Sequence, residues 1–149
     1  MVGERLKDIR EYYDNTQKEI ANILNVSRST YAGWENGIDT IPLLKLNDFC
    51  NHYNTSLDYV CGLTNTKEYH IVNTEIDKVI VGSNLKTIRL DHHDTQATIA
   101  DIIKTDQSNY SKYETGKNLI ITSLLIGFSK YYNVSIDGIC GKTKDLEIK

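Results

Sequence analysis

Thr16-Gln-Lys-Glu-Ile-Ala-Asn-Ile-Leu-Asn-Val-Ser-Arg-Ser-Thr-Tyr-Ala-Gly-Trp-Glu-Asn-Gly37 carries two helix starts and one helix stop. Thr16 and Glu19 have the spacing of a capping box, in which the hydroxyl accepts from a free backbone N–H and the carboxylate reaches back. Ile20, Ala21 and Leu24 follow as an inward-facing stripe. Ser27 is a cap for a second helix, and Gly37 stands where a left-handed residue ends it. Only a short turn separates the two helices. Ile20, Ala21, Leu24, Val26, Tyr31 and Trp34 can all face inward, which leaves Arg28, Ser29, Thr30 and Gly33 on the outer flank.

The same text returns 79 residues later without a gap. Pairing 2–65 with 81–144 gives 25 identities in 64 positions, among them Thr16/Thr95, Gln17/Gln96, Tyr31/Tyr110, Glu35/Glu114 and Gly37/Gly116. The folding unit is therefore about 65 residues, a size at which helical domains fold alone with modest stability. Residues 1–65 and 81–149 are expected to be two domains joined by a linker over 66–80.

Each unit reads as five short helices. The first runs from about Gly3 to Tyr13, and its copy from about Ser83, taken as its cap, to Asp91. The copy of the second helix keeps Thr95 but has Thr98 in place of the glutamate, which predicts a weaker start. Asp106 replaces Ser27 as the cap of the third. Pro42 suits the first turn of the fourth helix, where its missing N–H costs little. That helix buries Leu46, Phe49 and Tyr53, matched by Leu125, Phe128 and Tyr132. Ser56 and Ser135 cap a last short helix in which Leu57, Val60, Leu63, Ile136 and Ile139 are apolar. In the connection, Glu68-Tyr-His-Ile-Val72 alternates weakly, as a short strand would, whereas 74–81 can instead extend the next helix.

Composition sets limits. A quarter of the residues are charged and two fifths apolar, as in ordinary soluble domains. No apolar run approaches the roughly 18 residues that span a bilayer. The N-terminus lacks the apolar stretch of a signal peptide. Three cysteines at unhelpful spacings argue against a disulfide scaffold and for the cytosol. Net charge is −3 over 1–66, −1 over 67–78 and +1 over 79–149, so no basic stripe marks the chain.

Two helices joined by a tight turn, the second exposed along one flank, make a helix-turn-helix. Hydrogen-bonding side chains at the start of a protruding helix suit base-edge readout in a major groove. Both units resemble the DNA-binding domain of the phage lambda repressor and Cro type, the Xre-like family. Gly3-Glu-Arg-Leu-Lys-Asp-Ile-Arg10, Thr16-Gln-Lys-Glu-Ile-Ala21, Ser27-Arg-Ser-Thr-Tyr31, Trp34-Glu-Asn-Gly37 and Asn54-Thr-Ser-Leu-Asp-Tyr-Val-Cys-Gly-Leu63 carry the likeness. It covers nearly all of 3–64 and, less closely, 82–143; Asp91-His-His-Asp94 fits nothing characteristic.

The resemblance implies an all-α fold of two tandem five-helix domains and a role for each matching residue. Gln17 and Gln96 would bind phosphate and lean toward the third helix. Arg28, Ser29, Thr30 and Gly33 would face base edges in one groove, and Gln107, Ser108, Asn109 and Lys112 in another. Asn36, and Thr115 less well, would hold backbone phosphate, and Lys117 and Asn118 would add phosphate contacts where the first unit has Ile38 and Asp39. Gly33 departs from the pattern because it offers no side chain to a base. Arg10 with Glu35, and Arg89 with Glu114, would pair as structural pins.

Other chemistries fare worse. Cys61 and Cys140 match each other, but buried core residues explain them better than a redox pair. His92-His93 lacks the further ligands that a metal site needs. No glycine-rich phosphate loop or nucleophile motif is present, so no catalysis, cofactor or metal is expected. The expected partner is an operator in double-stranded DNA, not a membrane. Because the reading flanks differ at 28/107, 30/109 and 33/112, two unlike half-sites are expected, read by a regulator of repressor type in the cytoplasm at the nucleoid. The resemblance also implies pairing through the last helices, for which Leu57, Val60, Leu63, Ile136 and Ile139 would be available, making the chain an internal pseudo-dimer or a homodimer. The competing reading is a protein-interaction module that has kept the scaffold and lost DNA binding.

Overall fold

The computed structural model describes residues 1–67 and 70–149. It divides into two compact units, Met1–Tyr69 and His70–Lys149. All regular elements among the described residues are helices.

The first unit holds α1 (Val2–Tyr12), α2 (Gln17–Ile23), α3 (Arg28–Glu35), α4 (Leu43–Tyr53) and α5 (Leu57–Val60). The second holds α6 (Lys78–Asp91), α7 (Gln96–Ile103), α8 (Gln107–Glu114), α9 (Thr122–Tyr132) and α10 (Ile136–Ile139). Capping explains most boundaries. Thr16 and Glu19 close the full reciprocal box, whereas Thr95 accepts from the Thr98 N–H with no carboxylate to return the bond. Pro42 is the residue before the first turn of α4, one place earlier than its sequence position implied. Gly37 and Gly116 take φ of +75° and +76° just past α3 and α8.

The start of α6 differs from expectation. Asp77, not Ser83, is the cap, its carboxylate accepting from the Val79 N–H at 2.8 Å. Ser83 lies inside the helix, because no proline or glycine interrupts 78–81 and the stronger cap lies upstream. The proposed strand over 68–72 falls partly on residues outside the described set. Its described residues, 70–72, form no strand; the Val72 N–H donates to the Lys142 carbonyl at 2.8 Å instead.

In each unit the first helix lies on the third and on the last, and the second lies against the third. Leu6, Ile20, Leu46, Phe49, Leu57 and Val60 are fully buried in the first core, with Leu85, Ile99, Leu125, Phe128, Ile136 and Ile139 in the second. This corrects the expectation for the last helices. Leu57, Val60, Ile136 and Ile139 fill their own cores because helices of one turn cannot stand without packing on α1 and α4, or on α6 and α9. Of that set only Leu63 is half-exposed.

The repeat runs slightly further in space than in sequence identity. The Ser56 N–H donates to the Lys67 carbonyl at 3.0 Å, and the Ser135 N–H to the Leu146 carbonyl at 2.8 Å, again 79 residues apart. Asp91-His-His-Asp94, unlike its counterpart in letters, does the same structural work. His93 takes the left-handed turn that Asp14 takes. Asp94 accepts from the Tyr132 hydroxyl at 2.8 Å, as Asn15 does from Tyr53 at 2.7 Å.

Candidate nucleic-acid interface

The third helix of each unit is held from behind by a charged brace. Arg10 donates through Nε to Glu35 Oε2 at 2.7 Å and through Nη2 to Oε1 at 2.9 Å, while its Nη1 donates to the Asn15 carbonyl at 2.8 Å. Arg89 repeats the pattern on Glu114 at 2.6 and 2.9 Å and on the Asp94 carbonyl at 2.9 Å. Both pairs are buried. Burial alone would raise the Glu35 and Glu114 carboxyls, but the hydrogen bonds they accept outweigh it and hold both below the usual carboxylate range. Arg10 and Arg89 are raised, chiefly by the hydrogen bond to the same carboxylates. Tyr31 and Tyr110 lie wholly buried beside the braces. Burial, with the neighbouring carboxylate, pushes their hydroxyls up, so they stay neutral.

The second helix joins the brace. Gln17 Nε2 donates to Glu35 Oε1 at 3.0 Å, and Gln96 Nε2 donates to Glu114 Oε1 at 2.9 Å. The two glutamines are half-buried and lean toward the third helix. Their amide nitrogens are thereby fixed and their side-chain positions defined.

The outer flank is polar and open. Arg28, Ser29 and Thr30 are exposed at the start of α3, and Gln107, Ser108 and Lys112 along α8. A cleft of about 510 Å³ runs between the starts of α2 and α3, lined by Gln17, Lys18, Arg28 and Asp14 among others. Its counterpart of about 450 Å³ is lined by Gln96, Gln107, Ser108, Ser111 and Lys112. Asn36 is exposed as the residue closing α3, and Lys117 is exposed in the following turn.

Three of the named residues sit differently from the rest. Asn109 is half-buried, and its amide nitrogen donates to Thr105 Oγ1 at 2.7 Å and to the Tyr113 hydroxyl at 3.1 Å. The Thr30 hydroxyl accepts from Ser27 Oγ at 2.9 Å. Gly33 is half-buried, with open space where a side chain would begin.

Sequence reasoning passed over Lys18, Ser111 and Lys78. Lys18 follows Gln17 into the first cleft, and Ser111, one turn after Gln107, lines the second. Lys78 reaches the Lys117 carbonyl at 3.2 Å. Helical spacing marks Ser111; nothing in the sequence marks Lys78, because tertiary packing brings α6 to the turn after α8.

The arrangement has counterparts elsewhere. The sequence profile of the helix-turn-helix family matches residues 6–60 and again 85–139. Antitoxin PezA of Streptococcus pneumoniae is 28% identical over 113 residues, covering 73% of this chain and 69% of that protein. The HTH-type transcriptional regulator ImmR of Bacillus subtilis is 35% identical over 85 residues, covering 53% of this chain and 65% of that one. An uncharacterized HTH-type regulator of the same bacterium, YobD, is 33% identical over 64 residues, covering 43% and 57%. The chain thus spans between 57% and 69% of the length of these relatives. No helix among the described residues is long and apolar enough to cross a membrane. The chain belongs to the helix-turn-helix family of the Xre, lambda repressor-like type, a family of DNA-binding transcriptional regulators and not of enzymes, and it carries the family's domain twice.

Proposed function

We propose that the chain is a transcriptional repressor, working on the nucleoid, that reads two unlike half-sites of one operator, one with each unit. One observation carries this reading. The same Arg–Glu–Gln brace holds the third helix in both units, yet the flanks it presents differ. A brace of buried ion pairs gives nothing to catalysis; it fixes the orientation of a helix, which is what base readout demands.

In this reading Gln17 and Gln96 stand against phosphate, Arg28, Ser29, Thr30 and the bare Gly33 against one set of bases, and Gln107, Ser108, Asn109 and Lys112 against another. Asn36 and Lys117 hold backbone phosphate after the helix. Arg28 suits the two acceptors of guanine, and Gln107 the donor and acceptor of adenine. Selection of bound duplexes from a random pool tests this directly. An enriched motif with two unlike halves is the expected result, with one half relaxed by Arg28→Ala and the other by Lys112→Ala. Enrichment of a single short half in all three samples would end the two-site reading.

A second reading has its own support. The first unit carries a net charge of −3 over 1–66, and Ile38 in the turn after α3 and Leu44 at the start of α4 are exposed. A protein partner on that unit, of the sort the name of the pneumococcal relative implies for that protein, would suit such a surface. Selection that returns no motif from a well-folded sample would favour it.

A further inference from the structure

Ile9, Tyr12 and Tyr13 of α1, Tyr53 at the end of α4 and Lys67 beyond α5 line a cavity of about 130 Å³ in the first unit. It shares no residue with the cleft between the starts of α2 and α3. Its walls are aromatic. The Tyr13 ring stacks on Tyr53 with centroids 5.1 Å apart and 23° between planes, and Tyr12 stands edge-on to Tyr13 at 5.0 Å and 83°. Two ring planes near a right angle form a corner, which suits a third ring stacked on one and edge-on to the other. A cavity of about 150 Å³ accepts one benzene ring, so this one is of the right size.

The corner also holds a cation. The Lys67 ammonium lies 5.2 Å from the Tyr12 centroid and 5.7 Å from that of Tyr59, and the Arg5 guanidinium lies 4.2 Å from the same Tyr59 ring. Arg5 is engaged, donating to the Tyr59 and Thr64 carbonyls and to Asn65 Oδ1. Lys67 pairs with no carboxylate among the described residues. Its backbone is anchored, because its carbonyl accepts from the Ser56 N–H at 3.0 Å and from Thr55 Oγ1 at 3.3 Å. The ammonium therefore reaches the aromatic corner from a fixed point.

The scaffold does not demand this set. In the repeat, the buried Ile9 and Tyr53 are matched by Ile88 and Tyr132, but Tyr12, Tyr13, Tyr59 and Lys67 give way to Asp91, His92, Gly138 and Leu146. Tyr12 is 74% exposed and Tyr13 52%, so a place in the core does not account for either ring.

We propose that this corner of the first unit binds a small aromatic monocarboxylate, its ring against Tyr12 and Tyr13 and its carboxylate on the Lys67 ammonium. Aromatic faces alone attract cations. Here Lys67 and Arg5 already occupy them, so an incoming positive charge is repelled and a negative one is attracted. The second unit, with Asp91 for Tyr12 and Leu146 for Lys67, offers that carboxylate no grip, and one ligand binds per chain. The site is independent of whether the reading flanks contact DNA.

Titration calorimetry of the full chain with benzoate tests this. Benzoate should bind saturably at one site. Benzyl alcohol, which keeps the ring and loses the charge, should bind about tenfold more weakly, the equivalent of one hydrogen bond to a charged group. Benzylamine, its cationic counterpart, should not displace benzoate. Lys67→Met should bind benzoate no better than benzyl alcohol, and Tyr12→Ala should weaken both. Both side chains are exposed, and circular dichroism should show each variant folded. Undiminished benzoate binding by Lys67→Met overturns the inference, as does benzylamine binding more tightly than benzoate. Absence of saturable binding at millimolar benzoate, or Tyr12→Ala with both affinities intact, overturns it as well.

Discussion

Arg10 and Glu35 meet as two parallel forks, Nε to Oε2 at 2.7 Å and Nη2 to Oε1 at 2.9 Å, and so tie the exposed third helix to the first. Removing one partner strands the other charge in the interior. Arg10→Ala should therefore destabilise the first unit by about 3–5 kcal/mol, while Arg10→Met combined with Glu35→Leu should recover most of the loss. Urea unfolding of the full chain reads both. A cost below about 1 kcal/mol for Arg10→Ala would mean that the pair behaves as a surface bridge.

The same carboxylates set an acid limit. Glu35 and Glu114 have folded-state values below the ordinary range, so their contribution is complete above the unfolded carboxylate range and is lost as pH falls through the folded values. Burial pushes the Tyr53 hydroxyl up to about 12, so its contribution is complete below 10 and lost as pH rises toward 12. Tm measured against pH should show a plateau with a fall at each end. If the acid fall survives unchanged when both arginine–glutamate pairs are replaced by apolar pairs, these carboxylates are not its origin.

Gly3→Ala and Gly82→Ala should each destabilise, although alanine normally favours a helix by up to about 1 kcal/mol over glycine. A Cβ on Gly3 would overlap the carbonyls of Glu35 and Trp34, and one on Gly82 those of Glu114 and Tyr113. Backbone atoms cannot rotate away, so α1 would have to lift from α3. A net loss of about 1–3 kcal/mol is expected by denaturant titration, as for other overpacked contacts. A stabilised Gly3→Ala would show that the two helices approach less closely.

Base and phosphate contacts separate by their response to salt and sequence. Arg28→Ala should lose about 1–3 kcal/mol on the selected duplex and little on random DNA. Lys117→Ala should weaken both alike and lower the slope of log K against log salt by about one phosphate. Competition binding at several salt concentrations distinguishes them; a uniform loss for Arg28→Ala would reassign it to phosphate.

Most of the fold was legible in the chain. Self-similarity at an offset of 79 defined the unit, and Thr16, Ser27 and Gly37 placed the helix-turn-helix, because capping is local chemistry between near neighbours. The spacing of Arg10 and Glu35 was legible as a pair only through the family resemblance. Local signals failed in three places. The start of α6 fell to Asp77, whose carboxylate competed better than Ser83. The apolar faces of α5 and α10 turned inward, because burial against neighbouring helices outweighs exposure for partners not yet met. The amide nitrogen of Asn109 turned to Thr105 and Tyr113, which only the folded helix brings within reach.

The amino-acid order alone determined that there are two units, where their helices begin and end apart from the start of α6, and which flank stays polar. These depend on contacts within a few residues and on periodicity. Tertiary structure decided what each flank can touch. It set Ile38 beside Gly33, brought Lys78 to Lys117, and bound Gln17 and Gln96 to the buried glutamates. Such neighbours belong to different elements, or to a helix and the turn beyond it, and only packing and chain reversal bring them together.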